Sequence, residues 1–304
     1  MKSSIGIIGM GWVGASTAIS ILNRGISKDL LVNDVKKEIA EGEAMDLNHG
    51  SSFYPSAKVR AVEVEEMLDC EAIVITAGRG GSGDETRLDL LNDNIKIAKD
   101  ISEKLKGYKG ILVIVSNPVD VLTYYYQKFT GIPKHKVIGT GTFLDTARLR
   151  DMIGTKISID PKSIHAYVVG EHGDSEVVLW SGADIGGEYL RKWDMWKPEY
   201  EQEISEKVQK AAYEIIKRKG ATNHAIGLVT ATLLKWIMRN ERRIVTVSTV
   251  QKGPFELEDV AISLPSLITS DGVEQIVEIK MSEKEKERFM HSADVLRKAI
   301  DEVN

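Results

Sequence analysis

The sequence predicts an α/β fold: a doubly wound parallel sheet followed by a second, α+β half. Three observations carry this. Short apolar runs without polar alternation recur at residues 4–9, 30–34, 72–76, 111–116 and 136–141, the pattern of strands buried on both faces of a parallel sheet. Helical patterns fall between them, at 13–24, 36–46, 84–106 and 119–129, two of them closed by Gly25 and Gly107. After about Phe143 that strict alternation stops.

The second half reads as a helix at 144–152, paired strand-like segments at 165–170 and 176–181, and helices at 200–219 and 225–239. Antiparallel-looking strands at 243–249 and 259–264 follow, then a charged helix at 282–303. The expected division is a nucleotide-binding domain over 1–142 and a substrate domain over 143–304. No low-complexity linker separates them, so a sizeable interface is expected.

Composition narrows the function classes. A net charge of −5 argues against general nucleic-acid binding, which needs clustered Lys and Arg. Cys70 is the only cysteine, so no intramolecular disulfide can form, which suits a reducing compartment. The N-terminus lacks a signal-peptide pattern, and no apolar run is long enough to span a bilayer. A cytoplasmic protein without a membrane partner is expected. No Cys/His cluster has metal-ligand spacing, so no metal is expected.

Gly9-Met10-Gly11-Trp12-Val13-Gly14 is a GxGxxG between a strand and a helix, the Rossmann arrangement. Its glycines permit a tight turn and let a pyrophosphate approach the helix N-terminus. Asp34 lies 20 residues after Gly14, at the end of the next strand. There a carboxylate can bond both ribose hydroxyls and repel a 2′-phosphate, favouring NAD over NADP. Asp34 can equally cap the helix that follows. Trp12 is bulky for this turn, and the sequence gives no reason for it. Asn117, in Ser116-Asn117-Pro118-Val119-Asp120, reads either as a helix cap or as a ligand at a strand's carboxyl end.

Asp145 and Arg148 stand three apart on one helix and share a face, which permits a plain surface ion pair. His172, between glycines in Gly170-Glu171-His172-Gly173-Asp174, can be a simple turn residue. A sharper reading joins the three. Asp145 orients His172 and raises its pKa, His172 exchanges a proton with a hydroxyl or carbonyl oxygen, and Arg148 grips a carboxylate through two parallel hydrogen bonds. With hydride transfer at the same carbon, this defines a 2-hydroxy acid dehydrogenase.

The motifs GMGWVG, MDLNHG, TAG…ETR, SNPVDVLTY, IGTGTFLDTAR, GEHGDS and KGATNHAIG occur in this order. Over essentially its whole length the chain resembles the lactate/malate dehydrogenase family, most closely the bacterial L-lactate dehydrogenases. The resemblance implies His172 as acid/base, Asp145 as its partner, and Arg148 on the substrate carboxylate. It places Arg87 on the reacting carbonyl, with Asn117 and Thr222 beside the substrate. It implies NAD contacts from Gly9, Met10, Gly11, Trp12, Val13, Gly14, Asp34, Thr76, Ala77, Gly78, Asn94, Val115 and Asn117. The glycine-rich stretch 76–87 would be a lid that brings Arg87 over the substrate. Arg150 and His165 match an anion site for fructose 1,6-bisphosphate, although a solvated helix arginine and a plain strand histidine read as well. A homotetramer is implied, with a homodimer as the alternative.

Substrate choice is less marked. Six residues before the lid's arginine the family carries Gln for lactate or Arg for malate, and here the residue is Gly81. Arg79 is the nearby cation that keeps malate open, while IGTGTFLDTAR and SNPVDVLTY tilt toward lactate. A dual or broad 2-keto acid reductase is the third reading. An NAD-binding protein without turnover is the non-enzyme alternative, disfavoured because His172, Asp145, Arg87 and Arg148 are all present.

Overall fold

In the computed structural model, which describes residues 3–80 and 86–303 but not the Arg87 side chain, the apolar runs become a six-stranded parallel sheet. Its strands are β1 (Ser4–Ile8), β2 (Asp29–Asn33), β3 (Lys58–Ala61), β4 (Ala72–Ile75), β5 (Ile111–Ile114) and β6 (Val137–Gly139). They lie in the order β3-β2-β1-β4-β5-β6. The order reverses between β1 and β4, where the carboxyl ends of strands open a crevice. Every residue of β4 and β5 is buried, which is why these runs show no polar alternation.

Helices α1 (Trp12–Asn23), α2 (Lys37–His49), α3 (Arg87–Lys104) and α4 (Val119–Thr130) cross between these strands. One apolar core, with Ile75, Leu105, Ile114 and Tyr126, fills one face of the sheet, and a second, with Ile7, Ile21, Leu30 and Val74, fills the other. Each fully buried Ile or Leu contributes about 1.5–3 kcal/mol.

Next come α5 (Phe143–Ile157), β7 (Ile164–His165), β8 (Val168–Val169), β9 (Val177–Val178), β10 (Asp184–Ile185) and β11 (Glu188–Tyr189). The chain ends with α6 (Glu199–Lys219), α7 (His224–Met238), β12 (Arg243–Lys252), β13 (Glu258–Thr269), β14 (Gly272–Ile276) and α8 (Glu283–Asp301). A third core, with Leu149, Ile153, Ile164 and Trp180, packs under α5 and α6.

The second half does not build its long strands into a sheet of its own. β12, β13 and β14 continue the parallel sheet, giving nine strands, through an antiparallel contact of Ser248 with Gly139. A Cβ on Gly139 would stand 2.3 Å from Thr123 Oγ1 and 3.0 Å from Ser248 Cβ, so only glycine fits this seam. α7 also closes on α1. A Cβ on Gly227 would lie 2.7 Å from the Ser16 carbonyl carbon, and Asn223 Nδ2 donates to Ser16 Oγ at 2.8 Å.

Other differences are local. β3, β10, β11 and β14 are absent from the sequence reading, because short strands such as Lys58–Ala61 carry charge and little apolar pattern. The helix expected at 144–152 runs on to Ile157, and the segments 165–170 and 176–181 shorten to two-residue strands. The helix expected from residue 84 begins at Arg87, with Thr86 Oγ1 accepting from the Asp89 N–H at 3.1 Å. Gly81 and the rest of 81–85 lie outside the described residues. Among the described residues no helix is long and apolar enough to cross a membrane.

Candidate active site

β1 ends in the glycine turn, and each glycine there answers a different demand. Gly9 has φ +101°, and a Cβ on it would lie 2.5 Å from the Ala77 nitrogen. A Cβ on Gly14 would lie 2.0 Å from the Gly9 oxygen. Gly11, the N-cap of α1, has nothing within 4 Å of where its Cβ would be. The first two glycines are required by the protein's own packing. The third leaves open space at a helix N-terminus, which is what a pyrophosphate needs.

The Asp34 carboxylate stands directly beyond this turn. Its Oδ2 accepts from the Met10 N–H at 2.8 Å and its Oδ1 from the Lys36 N–H at 2.9 Å. The N-cap of α2 is Lys36, so Asp34 steadies the start of that helix without being its cap. Trp12 opens α1 with 61% of its surface exposed. The fit for NAD is good: an open helix terminus, and an acidic group at the end of β2.

Val13, Thr76, Gly78, Arg79, Gly80, Val115, Ser116 and Asn117 wall the crevice beside this turn. The loops after β4 and β5 are fastened together from below. Thr76 Oγ1 donates to the Gly9 carbonyl at 2.6 Å, and Ser116 Oγ to the Ala77 carbonyl at 2.6 Å. Asn94 is buried behind them. Its Oδ1 accepts from the Arg79 N–H at 2.9 Å, and its Nδ2 donates to the carbonyls of Arg79 and Asn117. The Arg79 guanidinium pairs with Asp93. Asn117 makes no cap to α4; the cap position belongs to Pro118, joined to it by a cis peptide bond. That corrects the capping alternative and leaves Asn117 on the crevice wall.

Asp145, in the first turn of α5, is 2% exposed and serves two cations at once. Its Oδ1 accepts from Arg148 at 2.8 Å, and its Oδ2 lies 2.6 Å from His172 Nδ1. An ionised Asp145 keeps the Nδ1 proton in place, so Nε2 is left to meet a substrate oxygen. Burial disfavours the imidazolium, but the charge and hydrogen bond of Asp145 outweigh it and hold His172 near pKa 9. Burial likewise raises Asp145, and His172 and Arg148 reverse this, leaving it below its usual range.

Asp120, in the first turn of α4, joins this cluster to the crevice. Its Oδ2 accepts from the His172 backbone N–H at 2.7 Å. Burial lifts its pKa to about 6, against the Ser248 hydroxyl and the His172 N–H that favour its charge. Three residues earlier in the same chain stands Asn117 on the crevice wall. The His172 loop is also held from two further sides. Gly170 exchanges backbone hydrogen bonds with Ser263 of β13, and the Glu171 N–H donates to Ser292 Oγ of α8 at 2.8 Å.

Thus His172, Asp145 and Arg148 come together, next to the loop carrying Asn117. Thr222 is half-buried just before α7, adjacent to Asn223, whose amide reaches Ser16 of α1. Arg87 opens α3 at the end of the glycine-rich stretch. Arg150 is spent locally: its Nε donates to the Ala166 carbonyl at 3.1 Å and its guanidinium lies over the Tyr167 ring, while His165 is exposed on β7. Sequence reasoning gave no part to Asp120, Ser292 or Glu176. Asp120 was in view within SNPVD, but its contact with residue 172 spans 52 positions.

Comparison with known proteins gives the family. Residues 3–139 match the model of the lactate/malate dehydrogenase NAD-binding domain, and residues 142–304 that of the lactate/malate dehydrogenase alpha/beta C-terminal domain. The chain is 46% identical to an L-lactate dehydrogenase of Fervidobacterium nodosum, covering 98% of each sequence. It is 42% identical to one of Bacillus caldolyticus, covering 97% of this chain and 95% of that one. Among solved structures, a lactate dehydrogenase from a Medee basin deep-sea metagenome library superposes with a TM-score of 0.96 at 42% identity, over 99% of both chains. The minor L-lactate dehydrogenase of Enterococcus mundtii gives 0.97 at 37% identity, over 100% of this chain and 99% of that one. With an open glycine turn, a buried carboxylate shared by an imidazole and a guanidinium, and both family models matched end to end, the chain belongs to the lactate/malate dehydrogenase family.

Proposed function

We propose that the chain is an NAD-dependent L-lactate dehydrogenase, reducing pyruvate to L-lactate. The observation that carries this is the Asp145–His172–Arg148 cluster, bonded through Asp120 to the segment that walls the cofactor crevice. NADH, when bound, supplies the hydride that reaches the carbonyl carbon. Arg148 grips the substrate carboxylate and so orients the keto group toward His172 Nε2. The imidazolium hands its proton to the carbonyl oxygen as charge develops there, and Asp145 steadies the cation before that step. In this reading Arg87 polarises the same oxygen from the lid over 76–87, Asn117 contacts cofactor and substrate, and Thr222 borders the methyl end.

Lactate is favoured over malate because a second substrate carboxylate needs its own cation under a closed lid. Gly81 has none, and Arg79 is engaged by Asp93. The names of the relatives support the same choice. The regulatory anion site at Arg150 and His165 stands as a weaker part of the reading, since Arg150 is held by Ala166 and Tyr167. A cytoplasmic homo-oligomer, tetramer before dimer, completes it. Ile39, Met45 and Phe53, on α2 and just after it, leave much apolar surface exposed on the monomer.

The test follows NADH absorbance with pyruvate, oxaloacetate and 2-oxoisocaproate in parallel. Pyruvate should give the highest kcat/KM; preference for oxaloacetate would make the protein a malate dehydrogenase. NADH binding without turnover on any of the three would favour the non-enzyme reading. His172→Asn should abolish turnover at every pH while NADH affinity stays within a few-fold.

A further inference from the structure

The cluster holds a carboxyl for which the reaction above has no use. Glu176 precedes β9, four residues after His172, and its ligand-type oxygen lies within 4.8 Å of the corresponding atoms of Asp145 and His172. Its Oε1 is buried and has no hydrogen-bond partner. The nearby cations are already committed, because Arg148 and His172 both bond to Asp145. Glu176 as a whole is half-buried, but a carboxylate whose inner oxygen is shut from water with neither a donor nor a cation of its own is disfavoured and takes up a proton more readily.

This matters for charge. Asp145 at −1 with Arg148 and protonated His172 at +1 each sums to +1, and Asp120, ionised above about 6, brings the four to zero. Ionised Glu176 would take the sum to −1 before the substrate carboxylate arrived. We infer that Glu176 is a charge-setting residue of this site, carried as the neutral acid while the enzyme works, and that loss of its proton weakens binding of the keto acid's carboxylate at alkaline pH. The inference rests on the dehydrogenase reading and deepens it.

The groups facing Glu176 agree. Burial and the charge of Asp145 push its pKa up to about 9, with Glu171 adding to the rise and His172 and Arg148 opposing it. Asp120, from α4, and Glu176 itself, once ionised, both favour the charged form of His172, so ionised Glu176 supports the imidazolium while opposing the incoming carboxylate. Glu176 and His172 therefore release protons over one pH range, as a coupled pair.

The experiment measures KM and kcat for pyruvate across pH 6–10 in the wild type and in Glu176→Gln. With Gln in place, only His172 can lose the needed charge. The alkaline rise in KM should then move up by about 0.3 pH unit, the shift left when one of two groups titrating together is removed, with KM at pH 6 and the kcat plateau little changed. An unmoved limb overturns the proposal. So does a limb moved to lower pH, which would mean that the support an ionised Glu176 gives the imidazolium outweighs its opposition to the carboxylate.

Infrared spectra of enzyme with 13C-labelled glutamate carboxyls give a readout that needs neither turnover nor a folded variant. The wild type should show the C=O stretch of a protonated glutamate at neutral pH, fading near pH 9; its absence there refutes the proton. Failure of the wild type to oxidise NADH with any keto acid would overturn the dehydrogenase reading instead, leaving the spectroscopic result to stand separately.

Discussion

Asp145 is asked to do two things that pull on the same charge. Its two oxygens serve two different cations, and its burial makes both contacts strong. The consequence is a pH prediction with a definite sign. His172 has a raised pKa, so its protonated form is complete well below about 9 and is lost as pH rises through that value. Asp145→Asn removes what raises it, so the alkaline limb of pyruvate kcat/KM should move to lower pH, by about 1–3 units. The plateau should also fall, on the order of 10²-fold or more, because the amide no longer fixes the ring's tautomer. The pH–rate profile of this variant checks both; a limb left near 9 would mean that Asp145 does not govern the imidazole. That Asp145, Arg148 and His172 meet was legible in the sequence, since they sit in recognisable motifs. What surrounds them was not. Asp120 meets His172 through packing of α4 against its loop, 52 positions away, and Glu176, although only four residues on, turns back toward it in a way no local pattern announces.

At the scale of elements, the glycine turn separates packing from ligand binding. Gly14→Ala forces a methyl group onto the Gly9 carbonyl and should destabilise the fold by about 1–3 kcal/mol, lowering Tm and NADH affinity together. Gly11→Ala meets open space and should cost less, about 0.5–1 kcal/mol, because alanine is a poorer helix N-cap than glycine. Its NADH Kd should nonetheless rise about tenfold or more, because the methyl group occupies the approach to the helix N-terminus. Thermal melts and NADH titrations of the two variants check the contrast, and equal melting points would refute it. The parallel strands were readable because burial on both faces removes polar alternation. β3 was not, being a four-residue edge strand with Lys58 and Arg60 pointing outward. The short strands β7 to β11 are two residues each, too short to carry a periodic pattern of their own.

Across the whole molecule, the two halves are one folding unit. β6 continues into β12, α7 lies against α1, and α8 reaches back to the His172 loop through Ser292. Thermal unfolding should therefore show one transition when followed separately by near-UV and far-UV circular dichroism. Gly139→Val should lower its midpoint by several degrees, since about 2–4 °C accompanies each kcal/mol at this size. Two resolved transitions would contradict the shared sheet. The sequence could not disclose this join, because strands 243–249 and 259–264 carry no mark of which sheet they enter.

The seam at Gly139 and Ser248 also bears on recombination among relatives. A chimera spliced near residue 142 takes one lip of that contact from each parent, so the two genes must agree on a pair more than a hundred positions apart. Where the donor brings a larger side chain to either lip, the hybrid inherits an intact crevice and an intact imidazole but loses the sheet edge that sets them against each other.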